Sequence, residues 1–309
     1  MTVRRKMNVR KKLIKQRKSV SLVLGSGGAR GLAHIGVIKW LEENGYMIRS
    51  IAGSSMGALI GGIYASGKLD IYEHWVRALR KRDVMFLLDF AYSRAGLFSG
   101  DRIIKKLRDM LGDIRIEDLP ISYTAVATDL NAGREVWLTR GPLFDAIRAS
   151  MAIPTVFTPI KYQGHLLVDG GLLNPVPIAP TLKDITDITV AVSLSGKKET
   201  IPLVKTSQAN DDGNSKRNIN SYQKAIVEFL ASIPVRLSRE EKQDEINVID
   251  LMSQSFDAME HLISRLKLAA YTTDYLIEIP SNACGIFEFH RAKEMIDLGY
   301  ERTLREFTT

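Results

Sequence analysis

Two apolar runs near the start of the chain each break into a glycine-rich turn and then into a helical pattern. Val20 to Leu24 (Val-Ser-Leu-Val-Leu) reads as a short buried strand. It feeds Gly25-Ser26-Gly27-Gly28-Ala29-Arg30-Gly31, after which Ile35, Ile38, Trp40 and Leu41 mark a helix that stops at Asn44-Gly45. A second strand ends at Ile51-Ala52 and turns through Gly53-Ser54-Ser55-Met56-Gly57 into the small apolar segment Ala58 to Ala65. Helical patterns follow around Tyr72–Arg80 and Gly100–Leu111. Strands are expected at Ser122–Thr128, at Arg134–Leu138 after the turn Asn131-Ala132-Gly133, at Leu166–Val168 and at Ile188–Leu194. Pro142–Met151 reads as a helix opened by proline. Ile249, Met252, Phe256, Met259, Ile263 and Leu266 recur at three- and four-residue spacing, the mark of an amphipathic helix packed on the body. A last strand at Leu276–Ile279 and a closing helix over His290–Phe307 complete the pattern. Strands and helices in this order predict one large α/β domain.

Composition changes this picture in two places. From Gly196 to about Ser221, Lys, Asn, Asp, Ser and Gly replace the apolar periodicity, which predicts an exposed insertion. The segment Arg4 to Lys18 carries nine Lys and Arg and no acid, so it accounts for the whole +8 net charge of the 309-residue chain. The expected organisation is a basic tail over 1–18 and one folded domain over 19–309. A folded body near neutrality has no charge with which to track nucleic acid, and no aromatic residues interleave the tail for base stacking. The tail suits an anionic membrane surface instead. Cys284 is the one cysteine, which excludes an internal disulfide. No window is apolar for long enough to span a bilayer, and the tail lacks the apolar stretch of a signal peptide. The expectation is a cytoplasmic protein in peripheral contact with a membrane.

The candidate chemistry sits in the two glycine-rich turns and in Asp169-Gly170-Gly171, which closes the Leu166–Val168 strand. Gly53-x-Ser55-x-Gly57 between strand and helix is the context of a nucleophile elbow, with Ser55 at the crest and glycine at both crowded flanks. A serine hydroxyl needs a base and donors for an oxyanion. The Gly25–Gly31 loop has converging backbone N–H groups to serve as those donors. It fails the dinucleotide fingerprint, because Arg30 stands where the third glycine belongs, and it lacks the Gly-Lys-Ser/Thr of a P-loop. Of the five histidines, His34 reads as packed or capping, His165 falls at the far end of its strand, and His74, His261 and His290 read as surface residues. Asp169 could take the serine proton directly. Asp-Gly-Gly also reads as a simple turn, and the local residues do not choose between the two.

These three motifs, in this order, resemble the patatin-like phospholipase family. The likeness extends over Ala127-Thr128-Asp129-Leu130, Ala149-Ser150-Met151-Ala152-Ile153-Pro154 and Asn174-Pro175-Val176-Pro177, and runs from about Val20 to Leu194. It is strongest to compact bacterial-type members, which are also similar to the catalytic domain of neuropathy target esterase. The resemblance implies a three-layer α/β/α fold with a mostly parallel central sheet. It implies a serine acyl-ester hydrolase of the phospholipase A or lysophospholipase type that uses a Ser-Asp dyad and needs no cofactor or metal. Ser55 matches the nucleophile, Asp169 the base, and the amides of Gly27 and Gly28 the oxyanion hole. The Met56 N–H is where an ordinary elbow adds a donor. Arg30 matches the basic position of the loop, expected to brace it or to meet a phosphate head group. Gly25, Gly31, Gly53, Gly57, Gly170 and Gly171 match the motif glycines. Gly25-Ser26 departs from the Asp-Gly of plant members. Phospholipid or lysophospholipid is the implied substrate. The competing readings are an acyltransferase or thioesterase on the same serine, a catalytically quiet scaffold, and a nucleotide-binding module that the broken fingerprint argues against.

Overall fold

A computed structural model describes residues 17–87, 96–200 and 248–308. The basic segment 4–16 and most of the expected 196–221 insertion lie outside the described residues. Of these, 17–87, 96–199 and 253–308 belong to one compact unit, and 200 and 248–252 to a second.

The first unit is built on one sheet. Its strands are β1 (Ser19–Leu24), β2 (Met47–Ser54), β4 (Ser122–Asp129), β5 (Arg134–Leu138), β7 (Ile160–Tyr162), β8 (His165–Asp169), β9 (Ile188–Gly196) and β10 (Tyr275–Pro280). β3 (Gly96–Phe98) and β6 (Thr155–Phe157) pair separately. The order is β10-β9-β1-β2-β4-β8-β7, with β5 also on β4. The five strands from β10 to β4 run parallel, and β5, β7 and β8 run antiparallel to their neighbours. The sheet is therefore mostly parallel, as the strand–turn–helix alternation requires.

Alternation along β1 sends Leu22 and Leu24 to one face and Val23 to the other. The Leu22 and Leu24 face packs into the main core with α1 (Ala33–Glu43) and α2 (Met56–Ala65). The Val23 face packs with Val176, Ile178 and Ala191, and with Leu268 and Tyr271 beside them. Five helices follow in chain order: α3 (Leu69–Arg77), α4 (Lys81–Leu87), α5 (Asp101–Leu111), α6 (Leu143–Ser150) and α7 (Val248–Ala270). The closing α8 (Ala292–Thr308) lies on α1. Among the described residues no helix is long and apolar enough to cross a membrane.

One expected element differs in its detail. The Phe256, Met259, Ile263 and Leu266 stripe was to face the body, yet Met259, Leu262 and Leu266 are about half exposed. Among the described α7 side chains the buried ones are Glu260 and Ser264, so the inward face lies about one position on from the apolar stripe.

Candidate active site

The glycine-rich loop, the serine elbow and the Asp-Gly-Gly turn converge because of the pairing of β4. On one edge of β4 the first half pairs with β2, ending at Ser54 opposite Val126. The second half of the same edge pairs with β8, where Asp169 lies opposite Ala127. β5 occupies the other edge. The end of β2 and the end of β8 thus meet at adjacent residues of one strand. β1 delivers its own loop beside them, with Leu24 opposite Gly53.

Ser55 sits at the crest between β2 and α2 with φ 54° and ψ −119°. A non-glycine residue at that φ is strained by about 1–3 kcal/mol and must be held by its surroundings. Its N–H donates to Ser150 Oγ at 2.9 Å, and Ser150 Oγ donates to the Val126 carbonyl. Gly53 and Gly57 leave the room. A Cβ on Gly53 would overlap the backbone of Gly57, and one on Gly57 would overlap the carbonyl oxygen of Leu24. Since both obstacles are backbone, Gly57→Ala should force β1 and α2 apart and cost about 1–3 kcal/mol. A lowered thermal midpoint is the expected readout, and an unchanged one would contradict this close approach.

Ser55 Oγ donates to Asp169 Oδ2 at 2.6 Å. Asp169 Oδ1 accepts the Gly171 N–H at 2.7 Å, so the turn glycine orients the carboxylate. Asp169 is fully buried, and burial pushes its carboxyl up to about 7 against the favourable bonds from Ser55 and Gly171. Gly170 lies so close to the Val126 carbonyl and Ser54 Oγ that a side chain would not fit.

The Gly25–Gly31 loop is anchored on either side of two unpaired amides. Gly25 N–H donates to the Val192 carbonyl, Ser26 N–H to Pro175 and Ala29 N–H to Ile286. Among the described residues the N–H groups of Gly27 and Gly28 donate to nothing. Gly28 has φ 56° and packs against Ile286, which glycine alone accepts without strain. Met56 is the first residue of α2, where its N–H has no partner within the helix. Gly31 packs against the Met56 side chain. Arg30 is buried and braces the loop: Nε donates to the Gly27 carbonyl at 3.1 Å, Nη1 to the Ser281 carbonyl, and Nη2 reaches Asp257 at 3.3 Å.

His34 is fully buried, with Nε2 2.9 Å from the Gly25 carbonyl oxygen, and burial lowers it to about 4. It supports the loop and does not touch Ser55. His165 has a carboxylate partner: Nδ1 lies 2.6 Å from Asp129 Oδ2. That pair stands four residues along β8 from Asp169, roughly 13 Å at about 3.3 Å per residue. His74 is exposed, and His261 and His290 are partly so. Among the described residues no group of three His, Cys, Asp or Glu is placed to hold a metal.

An apolar pocket opens at Ser55 and Gly28 and runs between Leu59, Trp75, Leu79, Val84, Phe157 and Phe289. Its cavity volume is about 50 Å³. Pockets that hold ligands reach about 300 Å³ or more, so a long chain enters only as these side chains part. Two contributors escaped the sequence reading. Ser150 lay inside a resembling stretch without a role. Glu260 hid in α7, although its place between Phe256 and Ile263 puts an acid on the inward stripe.

Residues 22–182 match the family model described as patatin-like phospholipase. An uncharacterized NTE family protein of Mycobacterium tuberculosis (strain H37Rv) is 41% identical over 91% of this chain and 89% of its own length. The chain belongs to the patatin-like phospholipase family. Membership makes it a lipid acyl hydrolase. Neuropathy target esterase sws of Drosophila grimshawi is 38% identical over 52% of this chain and 11% of that far longer protein. The patatin-like phospholipase domain-containing protein ZK370.4 of Caenorhabditis elegans is 37% identical over 52% of this chain and 12% of its own. Among solved structures, VipD from Legionella pneumophila aligns with a TM-score of 0.46 at 13% identity, over 95% of this chain and 67% of that one.

Proposed function

We propose that this chain hydrolyses acyl esters of phospholipids or lysophospholipids through an acyl-serine intermediate, with Ser55 as nucleophile and Asp169 as its base. The observation that carries the reading is the 2.6 Å bond from Ser55 Oγ to Asp169 Oδ2 at a strained strand-to-helix crest. Asp169 accepts the Ser55 proton as Ser55 Oγ attacks the ester carbonyl. The oxyanion lies against the unpaired N–H groups of Gly27 and Gly28, with Met56 N–H as a third donor. Collapse expels the lysolipid or glycerol oxygen, which takes the proton from Asp169. Water gives a proton to Asp169 as it attacks the acyl-serine; the bond to Ser55 Oγ then breaks, Oγ takes that proton back from Asp169, and the fatty acid leaves. The apolar pocket that begins at Ser55 suits the acyl chain.

An acid raised to about 7 is half ionised near neutral pH, where a base works best. Only the ionised form accepts the proton, so kcat/KM should rise through about pH 7. The test is fatty acid release from a phospholipid and lysophospholipid panel without added calcium, over pH 5.5–9. Release that tracks no ionisation near 7 would count against Asp169 as the base. No release at all would sink the hydrolase mechanism, and an added alcohol acceptor distinguishes acyl transfer from hydrolysis. The basic segment Arg4–Lys18 supports contact with an anionic bilayer. Faster release from anionic than from neutral vesicles, lost on neutralising those residues, is the expected outcome.

A further inference from the structure

Helix α7 reaches the glycine-rich loop with two carboxylates one turn apart. Glu260 is buried, and Ser26 Oγ donates to its Oε1 at 2.6 Å. Asp257 lies 3.3 Å from Arg30, which itself donates to the Gly27 carbonyl. The two acids therefore hold the residues that flank the unpaired amides of Gly27 and Gly28. Glu260 also touches the other half of the site. Its Oε1 and Ser26 Oγ occupy the space where a Gly171 side chain would lie, and Gly171 N–H is the donor that orients Asp169.

Two buried carboxyl groups thus stand on either side of one glycine. Asp169 and Asp257 oppose ionisation of Glu260, whereas Arg30 and the Ser26 hydroxyl favour it. Burial is the larger influence and carries the Glu260 carboxyl up to about 8. A buried acid is unfavourable unless its contacts repay it, and this one bonds Ser26 in the loop that holds the candidate donors and lies against Gly171 in the turn that orients Asp169.

We propose that Glu260 is a positioning residue of this site that works in its protonated form: through Ser26 it seats Gly27 and Gly28, and when it ionises it sets a second negative charge beside Asp169 and the oxyanion. The proposal rests on the acyl-serine reading above. Turnover then needs Asp169 ionised and Glu260 neutral. Activity rises as the first acid ionises and falls as the second does, so the pair produces a narrow bell.

The experiment uses the purified full chain with a p-nitrophenyl acyl ester, corrected for uncatalysed hydrolysis, over pH 5.5–9.5. A fluorophosphonate probe reports Ser55 independently. Glu260→Gln keeps the shape and the capacity to bond Ser26 but never ionises. It should keep the rising limb of kcat/KM and lose the falling limb. Glu260→Ala removes the partner of Ser26 and should lower kcat about tenfold, with KM within about twofold, as expected when donors are displaced from a transition state. Glu260→Gln stands as the test even where the alanine variant fails to fold. A falling limb unchanged in a folded Glu260→Gln protein would overturn the inference while leaving the hydrolase reading intact. Wild type that neither labels with the phosphonate nor cleaves the ester would overturn both.

Discussion

Ser55→Ala is expected to lower kcat/KM on any ester substrate by at least about 10³-fold while the protein stays folded. Removing the nucleophile of a serine hydrolase costs about 10³–10⁶-fold, with the residue left over coming from oxyanion donors and binding. The structural change is small here. The alanine loses one bond, from Ser55 Oγ to Asp169, and the backbone bond from Ser55 N–H to Ser150 remains. Alanine tolerates the φ of 54° no worse than serine, so the elbow has no new reason to unfold. Asp169→Asn should produce a loss of similar size, since an amide cannot accept the serine proton. The two losses should not add, because both residues act in one proton transfer. The double variant should be no slower than the worse single one. Circular dichroism and steady-state kinetics on the three proteins check this, and a folded Ser55→Ala protein with more than a few per cent of wild-type rate would refute Ser55 as nucleophile.

The parts of the site that were legible in the sequence are those where backbone approaches backbone. Gly57 beneath the Leu24 carbonyl and Gly53 against Gly57 tolerate no other residue, so the requirement is written as glycine at fixed spacing. The Gly25–Gly31 loop was legible as a run of glycines between strand and helix, two of which, Gly27 and Gly28, pack against the Leu194 and Ile286 side chains. Asp169 was visible only as a turn residue with an alternative, because what suits it to the proposed role of base is burial and a neighbour 114 positions away. Ser150 and Glu260 were missed outright: each acts through hydrogen bonds to residues far along the chain, and the one local sign was the acid on the inward stripe of α7. The short elements β3, β6 and β7, three residues each, escaped because three residues establish no periodicity. The orientation of α7 was misread because hydrophobic spacing placed Met259 and Leu266 inward, whereas the bond from Ser26 to Glu260 faces the site. The apolar pattern located that helix but not its rotation.

A buried carboxylate is a stability liability whatever its role, which gives Asp169 a signature separate from turnover. Its folded value of about 7 lies above the ordinary 3.8, so the folded state holds a proton that the unfolded chain has released. The sign follows directly. The protonated acid gives its full contribution to stability below about pH 4, and that contribution is lost as the pH rises through about 7. At about 1.36 kcal/mol per pH unit the span amounts to of order 4 kcal/mol for this one group. Asp169→Asn places a neutral group of the same shape in the same site. It should have nearly the thermal midpoint of wild type at pH 4 and a higher one at pH 8, with the gap opening between those values. Glu260 contributes a slope of the same sign in both proteins, a smaller one in the variant because the Asp169 charge no longer opposes its ionisation, so the gap reports Asp169 together with its coupling to Glu260. Scanning the thermal midpoint from pH 4 to 8 on both proteins measures it. A gap that stays constant across that range would mean that Asp169 titrates alike in the folded and unfolded chain, and the desolvated setting that makes it a base near neutrality would be wrong. A gap that opens with pH, in a variant that has lost hydrolysis, would place the same carboxyl at the origin of both the activity and its cost to the fold.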